Sequence, residues 1–261
     1  MNIARSIYFK NLWNRKFSII AWSLGFAIIA IMFAALYESS AGEITSYAES
    51  IPKSFESFIG DLSSATTPNG WINIELYSLF LPIIGVNLGA SAIGSEEENR
   101  TLDLILSRPV SRTKFIIEKE LSIITNLSII SFVLYTSLLL GKLVYSFDID
   151  KTNVFWATFS ALVLGLSFAN FALMMQNIKK KKSSGIGYGA LFVTVSYLTH
   201  VFSQLSQNLE FLKHISTFYY YNVSETLLLG VNLYYICLLL LLNITLFLVS
   251  YFLFLKRDLG V

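Results

Sequence analysis

Six long apolar runs punctuate the chain: Phe17 to Leu36, Leu76 to Ile93, Leu121 to Leu140, Val154 to Met175, Gly185 to Phe202, and Leu233 to Leu255. A helix crosses a hydrocarbon core of about 30 Å with about 20 apolar residues, and each run meets that requirement. None alternates with the period of two that a membrane β-barrel needs. The pattern predicts one all-α polytopic membrane domain over residues 1–261, with six transmembrane helices.

The segments between the runs add amphipathic elements. Before the first span, Ile3, Ala4, Ile7, Tyr8, Leu12 and Trp13 recur at helical spacing among Arg5, Lys10, Arg15 and Lys16, which predicts an interfacial helix over 1–16. After it, Ile44, Tyr47, Ile51, Phe55, Phe58 and Leu62 form a second apolar stripe, interrupted at Pro52. Leu205, Leu209, Leu212 and Ile215 form a third, ahead of Tyr219, Tyr220 and Tyr221, which suit an interfacial belt.

Composition agrees with a membrane protein: 54% of the 261 residues are hydrophobic and 14% charged, with a mean hydropathy of +0.61. The net charge of +2 says little, but its distribution orients the chain. With the N-terminus inside, fifteen of the 19 Lys and Arg residues fall in inner segments, and Lys53, Lys142, Lys151 and Lys213 are outside. Positive charge concentrates on the cytoplasmic side, so the expected topology is N-in, C-in. The single cysteine, Cys237, excludes an internal disulfide and reads as a small apolar residue in a span.

Within the six runs there is no Asp, Glu, Lys or Arg, which argues against a proton- or sodium-driven relay. His200, near the outer end of the fifth run, is accounted for by interfacial packing. Asn87, Asn126, Asn170 and Asn243 are polar but uncharged. Helix-to-helix hydrogen bonds account for most of them, and Asn87, Asn126 and Asn170 are candidates for a cargo path. Small residues at close-packing intervals, Ala21 and Gly25, Gly85 and Gly89, Ala161, Gly165 and Ala169, and Gly185 and Gly189, fit a tight bundle or a dimer. No phosphate loop, catalytic triad or metal-ligand spacing occurs, so the chain is expected to bind no cofactor or metal and to catalyse nothing itself. Nothing in it points to nucleic acid.

The densest polar stretch joins the second and third spans. Glu96, Glu97, Glu98, Asn99 and Arg100 lead into Thr101, Leu102, Asp103, Leu104, Ile105 and Leu106, then Ser107, Arg108, Pro109, Val110, Ser111 and Arg112. Acids first and bases last complement a helix dipole. Leu102, Ile105 and Leu106 make an apolar strip able to dock, and Pro109 ends the helix.

This loop resembles the coupling helix of ABC-2 type permeases: an acidic pair, a Thr-Leu step, a leucine-rich turn, then Pro-Val-Ser-Arg and a lysine. Glu97, Glu98, Thr101, Leu102, Leu104, Leu106, Pro109, Val110, Ser111, Arg112 and Lys119 match, while Arg100 stands where glycine is common. The likeness extends upstream to Pro52, Phe58, Gly60, Asn69, Gly70 and Trp71, and ends at Lys256, Arg257, Asp258 and Leu259. A weaker similarity is to exporters of amphipathic cytolytic peptides of the phenol-soluble-modulin type.

The resemblance implies a permease of the bacterial inner membrane that pairs with a second permease subunit. Each would engage an ABC ATP-binding subunit, holding ATP and Mg, through a coupling helix over about 96–109. Glu97, Glu98, Arg100, Thr101, Leu102, Leu104, Ile105, Leu106, Arg108, Pro109 and Arg112 would carry that contact. Export of an amphipathic peptide is the favoured activity. Lipid, drug or sodium export by the same architecture, or a non-transporting scaffold or sensor, are the alternatives.

Overall fold

The computed structural model describes residues 6–48, 67–72, 80–107, 110–145 and 147–257. Nothing from Ile7 to Leu24 is a proline or glycine, and the first helix, α1, runs unbroken over Ile7–Ala48. From Ile7 on, the expected interfacial helix is therefore continuous with the first span, while Ile3, Ala4 and Arg5 lie outside the described residues. At 42 residues α1 is about 63 Å long, twice the hydrocarbon thickness. Its start is held against another helix: the Tyr8 backbone N–H donates to Glu118 Oε2 at 2.9 Å, and the Ser6 hydroxyl donates to the same oxygen at 3.4 Å. Of the second amphipathic stripe, Ile44 and Tyr47 fall in the last turns of α1, while Ile51, Pro52, Phe55, Phe58 and Leu62 lie outside the described residues.

Short helix α2, Pro68–Ile72, opens with proline where no N–H is needed. It buries Trp71, whose indole N–H donates to Phe33 O at 2.8 Å. Helix α3 covers Phe80–Glu98, and α4 is a single turn, Leu102–Leu106. Helices α5 (Arg112–Val144), α6 (Lys151–Lys179) and α7 (Lys182–Leu205) follow. A 3₁₀ segment over Gln207–Ile215 leads to two short helices, α8 (Thr217–Tyr221) and α9 (Val223–Leu229), and to α10, Leu233–Leu255. Side-chain oxygens of Ser111, Asp150 and Asn232 cap α5, α6 and α10, each accepting from a backbone N–H two or three residues on.

The hub of the bundle is α6, against which α3, α5, α7 and α10 all pack. The α3 contact is the closest, and glycine makes it possible. A Cβ added at Gly85 would lie 2.1 Å from Gly165 O, and one at Gly89 1.9 Å from Ala169 O. The Gly185 and Gly189 face of α7 closes on Ala90, Ala172 and Val86. These small residues thus join α3, α6 and α7 within one chain, whereas Gly25 on α1 has open space around it.

A polar ladder holds α10 on α6. Asn243 Nδ2 donates to Ser167 Oγ at 2.8 Å, Asn170 Nδ2 to Asn243 Oδ1 at 3.2 Å, and Asn177 Nδ2 to Ser250 Oγ at 2.8 Å. The steps 170 to 177 and 243 to 250 are both seven residues, two turns, so the rungs repeat along one seam.

Five helices, α1, α5, α6, α7 and α10, are long and apolar enough to cross a membrane. The described part of the second expected span is α3, and Leu76 to Leu79 lie outside the described residues. At one end of the bundle, Trp71, Phe33, Tyr37 and Phe147 pack ring against ring. The tyrosines expected in a belt pack inward there: Tyr221 is buried, and Tyr219 and Tyr220 meet Tyr235. The other end is charged.

Candidate functional site

The charged end is organised by three consecutive glutamates. Successive side chains on a helix point about 100° apart, so Glu96, Glu97 and Glu98 face three different neighbours. Glu96 accepts from Lys119 on α5 at 2.6 Å, and the same ammonium donates to Asn11 on α1 at 3.0 Å. Glu97 receives Arg257, just past α10, and the Gln176 amide of α6. Glu98 meets Lys182 at the start of α7 at 3.2 Å. One turn of α3 is thereby tied to five other elements.

The sequence pattern placed these acids at the start of a helix, where they would complement its dipole. The structure corrects this: they end α3, where the partial charge is negative and acids are unfavourable. Three cations offset that cost. Lys119 and Arg257 are 1% and 8% exposed, so their pairs are shielded from solvent and held in one geometry.

Beyond Glu98 the chain reverses in a Schellman turn. Thr101 N–H donates to Glu96 O at 2.8 Å and Arg100 N–H to Glu97 O at 3.0 Å. Arg100 takes a φ of +54°, the left-handed conformation that glycine adopts without cost. The turn sets α4 against the end of the bundle. The docking strip expected at Leu102, Ile105 and Leu106 points inward instead: Leu102 is buried and the other two pack on the core. The outward face carries Asp103 and Leu104, and Leu104 is 67% exposed. Thr101 Oγ1 donates to Glu96 O at 3.3 Å. Arg108 and Pro109 lie outside the described residues. Arg112 turns back to the end of α10, where its Nη1 donates to Arg257 O at 2.7 Å and Leu255 O at 3.2 Å. A cation on the last carbonyls of a helix is favourable for the same dipole reason.

The three asparagines proposed for a cargo path separate. Asn126 is buried and donates to Ser122 O of its own helix at 2.6 Å, and Asn170 is buried in the α10 ladder. Asn87 is exposed on the outer face of α3.

Sequence reasoning missed the lattice. Lys119 and Arg257 were matched only by position, and Asn11, Gln176 and Lys182 not at all. The signal was there: three adjacent acids on a helix must face three directions. It also missed that α5 begins at Arg112, nine residues before the expected third span. That extension carries Lys119 and Glu120 into the buried face, so long apolar helices here do hold ionisable groups. Glu120 is 7% exposed, faces Asn170, and leaves Oε2 without a hydrogen-bond partner among the described residues. The ground for disfavouring sodium, the lack of a buried carboxylate, is thereby removed.

Long apolar helices around a buried hub, closed at one end by an ion-pair lattice next to a short helix, define a multi-pass integral membrane protein. Residues 6–259 match the family described as ABC-2 family transporter protein, and the chain belongs to that family of the bacterial inner membrane. It is similar to a protein of Stutzerimonas stutzeri described as "Probable ABC transporter permease protein NosY", with 29% identity over 202 residues. The matched stretch is 74% of this chain and 66% of that protein, just under two thirds of its length.

Proposed function

We propose that the chain is the permease subunit of an ATP-driven exporter, with six spans, both termini inside, and ATP hydrolysis in a separate subunit. The observation that carries this reading is α4, a one-turn helix with Leu104 outward, joined by the Arg100 turn to the end of α3, whose Glu96, Glu97 and Glu98 tie it to α1, α5, α6, α7 and the end of α10. An ATP-binding subunit seated on Asp103 and Leu104 would move one rigid turn, and the ion pairs would convey that movement to the whole bundle. Glu97, Glu98 and Arg112 then act as struts of the docking platform.

A second permease copy completes the transporter in this reading. The cargo path lies on the outward face of α3, where exposed Asn87 would be costly against lipid alone. Hydrophobic or amphipathic cargo, an amphipathic peptide foremost, suits such a mostly apolar wall. A cation cargo, sodium included, is the second reading, favoured by buried Glu120 beside Asn170.

The test is co-expression with an ATP-binding subunit encoded beside this chain. Leu104→Asp is expected to abolish stimulation of ATP hydrolysis and co-purification without lowering the melting temperature. Unchanged assembly and stimulation would remove α4 as the docking element. Vesicles holding the complex are expected to accumulate a fluorescent amphipathic peptide on addition of ATP; failure with peptide and success with sodium selects the second reading.

A further inference from the structure

The end of the bundle opposite the ion-pair lattice holds a polar cleft to which the transport reading gives no role. It lies where α7 ends and the 3₁₀ segment Gln207–Ile215 folds back beside it. Its volume is about 360 Å³, within the range of small-molecule sites, about 300–1,000 Å³. His200, Ser203, Gln204, Glu210, Lys213 and Tyr219 are among the residues that line it.

The cleft presents one cation and one anion side by side. Lys213 Nζ donates to Glu210 Oε1 at 2.5 Å. That hydrogen bond, reinforced by the ammonium charge, holds the Glu210 carboxyl below the usual carboxylate range. The formal charges of this ion pair sum to zero. Beside the pair, the Gln204 amide meets His200 Nε2 at 3.0 Å, while His200 Nδ1 is buried. The Lys213–Glu210 pair is exposed to the cleft, and exposed ion pairs are weak enough for a ligand of matching charges to replace.

The other side of the 3₁₀ segment fixes its depth. Phe211 and Ile215 are 62% and 65% exposed, and Leu205 and Leu209 are exposed beside them. In a multi-pass membrane protein an apolar face at a helix end lies at the boundary of acyl chains and headgroups. The polar face of the same segment then lies at headgroup level.

We propose that this cleft binds a phospholipid headgroup that carries both a phosphate and an ammonium. The phosphate takes Lys213, and the ammonium takes Glu210 beside the Tyr219 ring. Neutral paired charge favours such a zwitterion over an anionic headgroup, which would meet Glu210 with no cation of its own.

The test uses the full chain in nanodiscs of equal parts phosphatidylethanolamine and phosphatidylglycerol, followed by mass spectrometry of lipids retained on the extracted protein. Wild type is expected to retain the ethanolamine lipid in excess. The double variant Glu210→Lys/Lys213→Glu keeps the ion pair but reverses its direction, and retention is expected to fall about tenfold, the effect of losing a charged hydrogen bond. Should that variant not purify, Lys213→Met decides by the same ratio. Equal retention by wild type and variant, or an excess of phosphatidylglycerol, overturns the proposal. So does binding of free phosphoethanolamine with no lipid retained, because it removes the membrane as the source.

Discussion

Removing the Lys119 ammonium while leaving Glu96 in place should be among the most damaging single changes at the charged end. The two groups are 2.6 Å apart with side chains 2% and 9% exposed. At an effective dielectric constant of about 20, two unit charges at that distance attract by about 6 kcal/mol. Desolvation takes back several kcal/mol for each ion, so the intact pair contributes little net stability. Lys119→Met deletes the attraction, leaves the desolvated carboxylate, and strips Asn11 of its donor. The expected cost is about 3–5 kcal/mol. Glu96→Gln should cost a similar amount for the mirror reason. The double variant Glu96→Gln/Lys119→Met leaves no unpaired charge, and is expected within about 2 kcal/mol of wild type. SDS-driven unfolding of the purified chain in mixed micelles, followed by tryptophan fluorescence, measures all four corners of the cycle. Single variants within about 1 kcal/mol of wild type, or a double variant as weak as the two singles added, would refute a dry, coupled pair.

Three further outcomes follow from particular contacts. Gly89→Ala forces a Cβ to within 1.9 Å of Ala169 O and should destabilise by about 1–3 kcal/mol or more, while Gly25→Ala and Gly187→Ala, with nothing within 4 Å, should gain about 0.5–1 kcal/mol; the same micelle titration separates them. Arg100→Gly relieves the left-handed backbone at φ +54° and should raise stability by about 1 kcal/mol. At the opposite end, the Lys142 hydrogen bond at 2.5 Å, and then its charge, hold the Asp148 carboxyl below its usual range. A depressed native value stabilises above the unfolded value, about 3.9 for Asp, and the gain is lost as pH falls through the native value. The melting difference between wild type and Lys142→Met should therefore be level near neutral pH and narrow on acidification below about pH 4; a difference that widens there contradicts the pair.

The membrane class, the all-helical fold and the position of most helices were legible in the chain because apolar runs about 20 residues long admit few other structures in a bilayer. Turns of the last span, Leu233 to Leu255, fell on α10 as expected because Asn232 caps it and Lys256 follows it. The boundaries that failed did so for one reason. Hydropathy stops at the first charged residue, whereas a helix continues wherever its charges find partners. Glu96 to Glu98 extended α3, and Lys119 and Glu120 lie well inside α5.

The local pattern of Gly85, Gly89, Gly165 and Ala169 announced close helix contact, but only the packed bundle showed that α3 and α6 satisfy it within one chain. The apolar strip of α4 posed the same problem. Leu102, Ile105 and Leu106 could have met a partner or their own core, and period alone cannot choose. Tertiary structure decided by turning the chain at Arg100 and pointing Leu104 outward. Sequence by itself determined what each segment must bury, since transfer free energy is a property of the side chain. Which neighbour does the burying, and which charge answers each glutamate, depends on distances across the fold that no single segment contains.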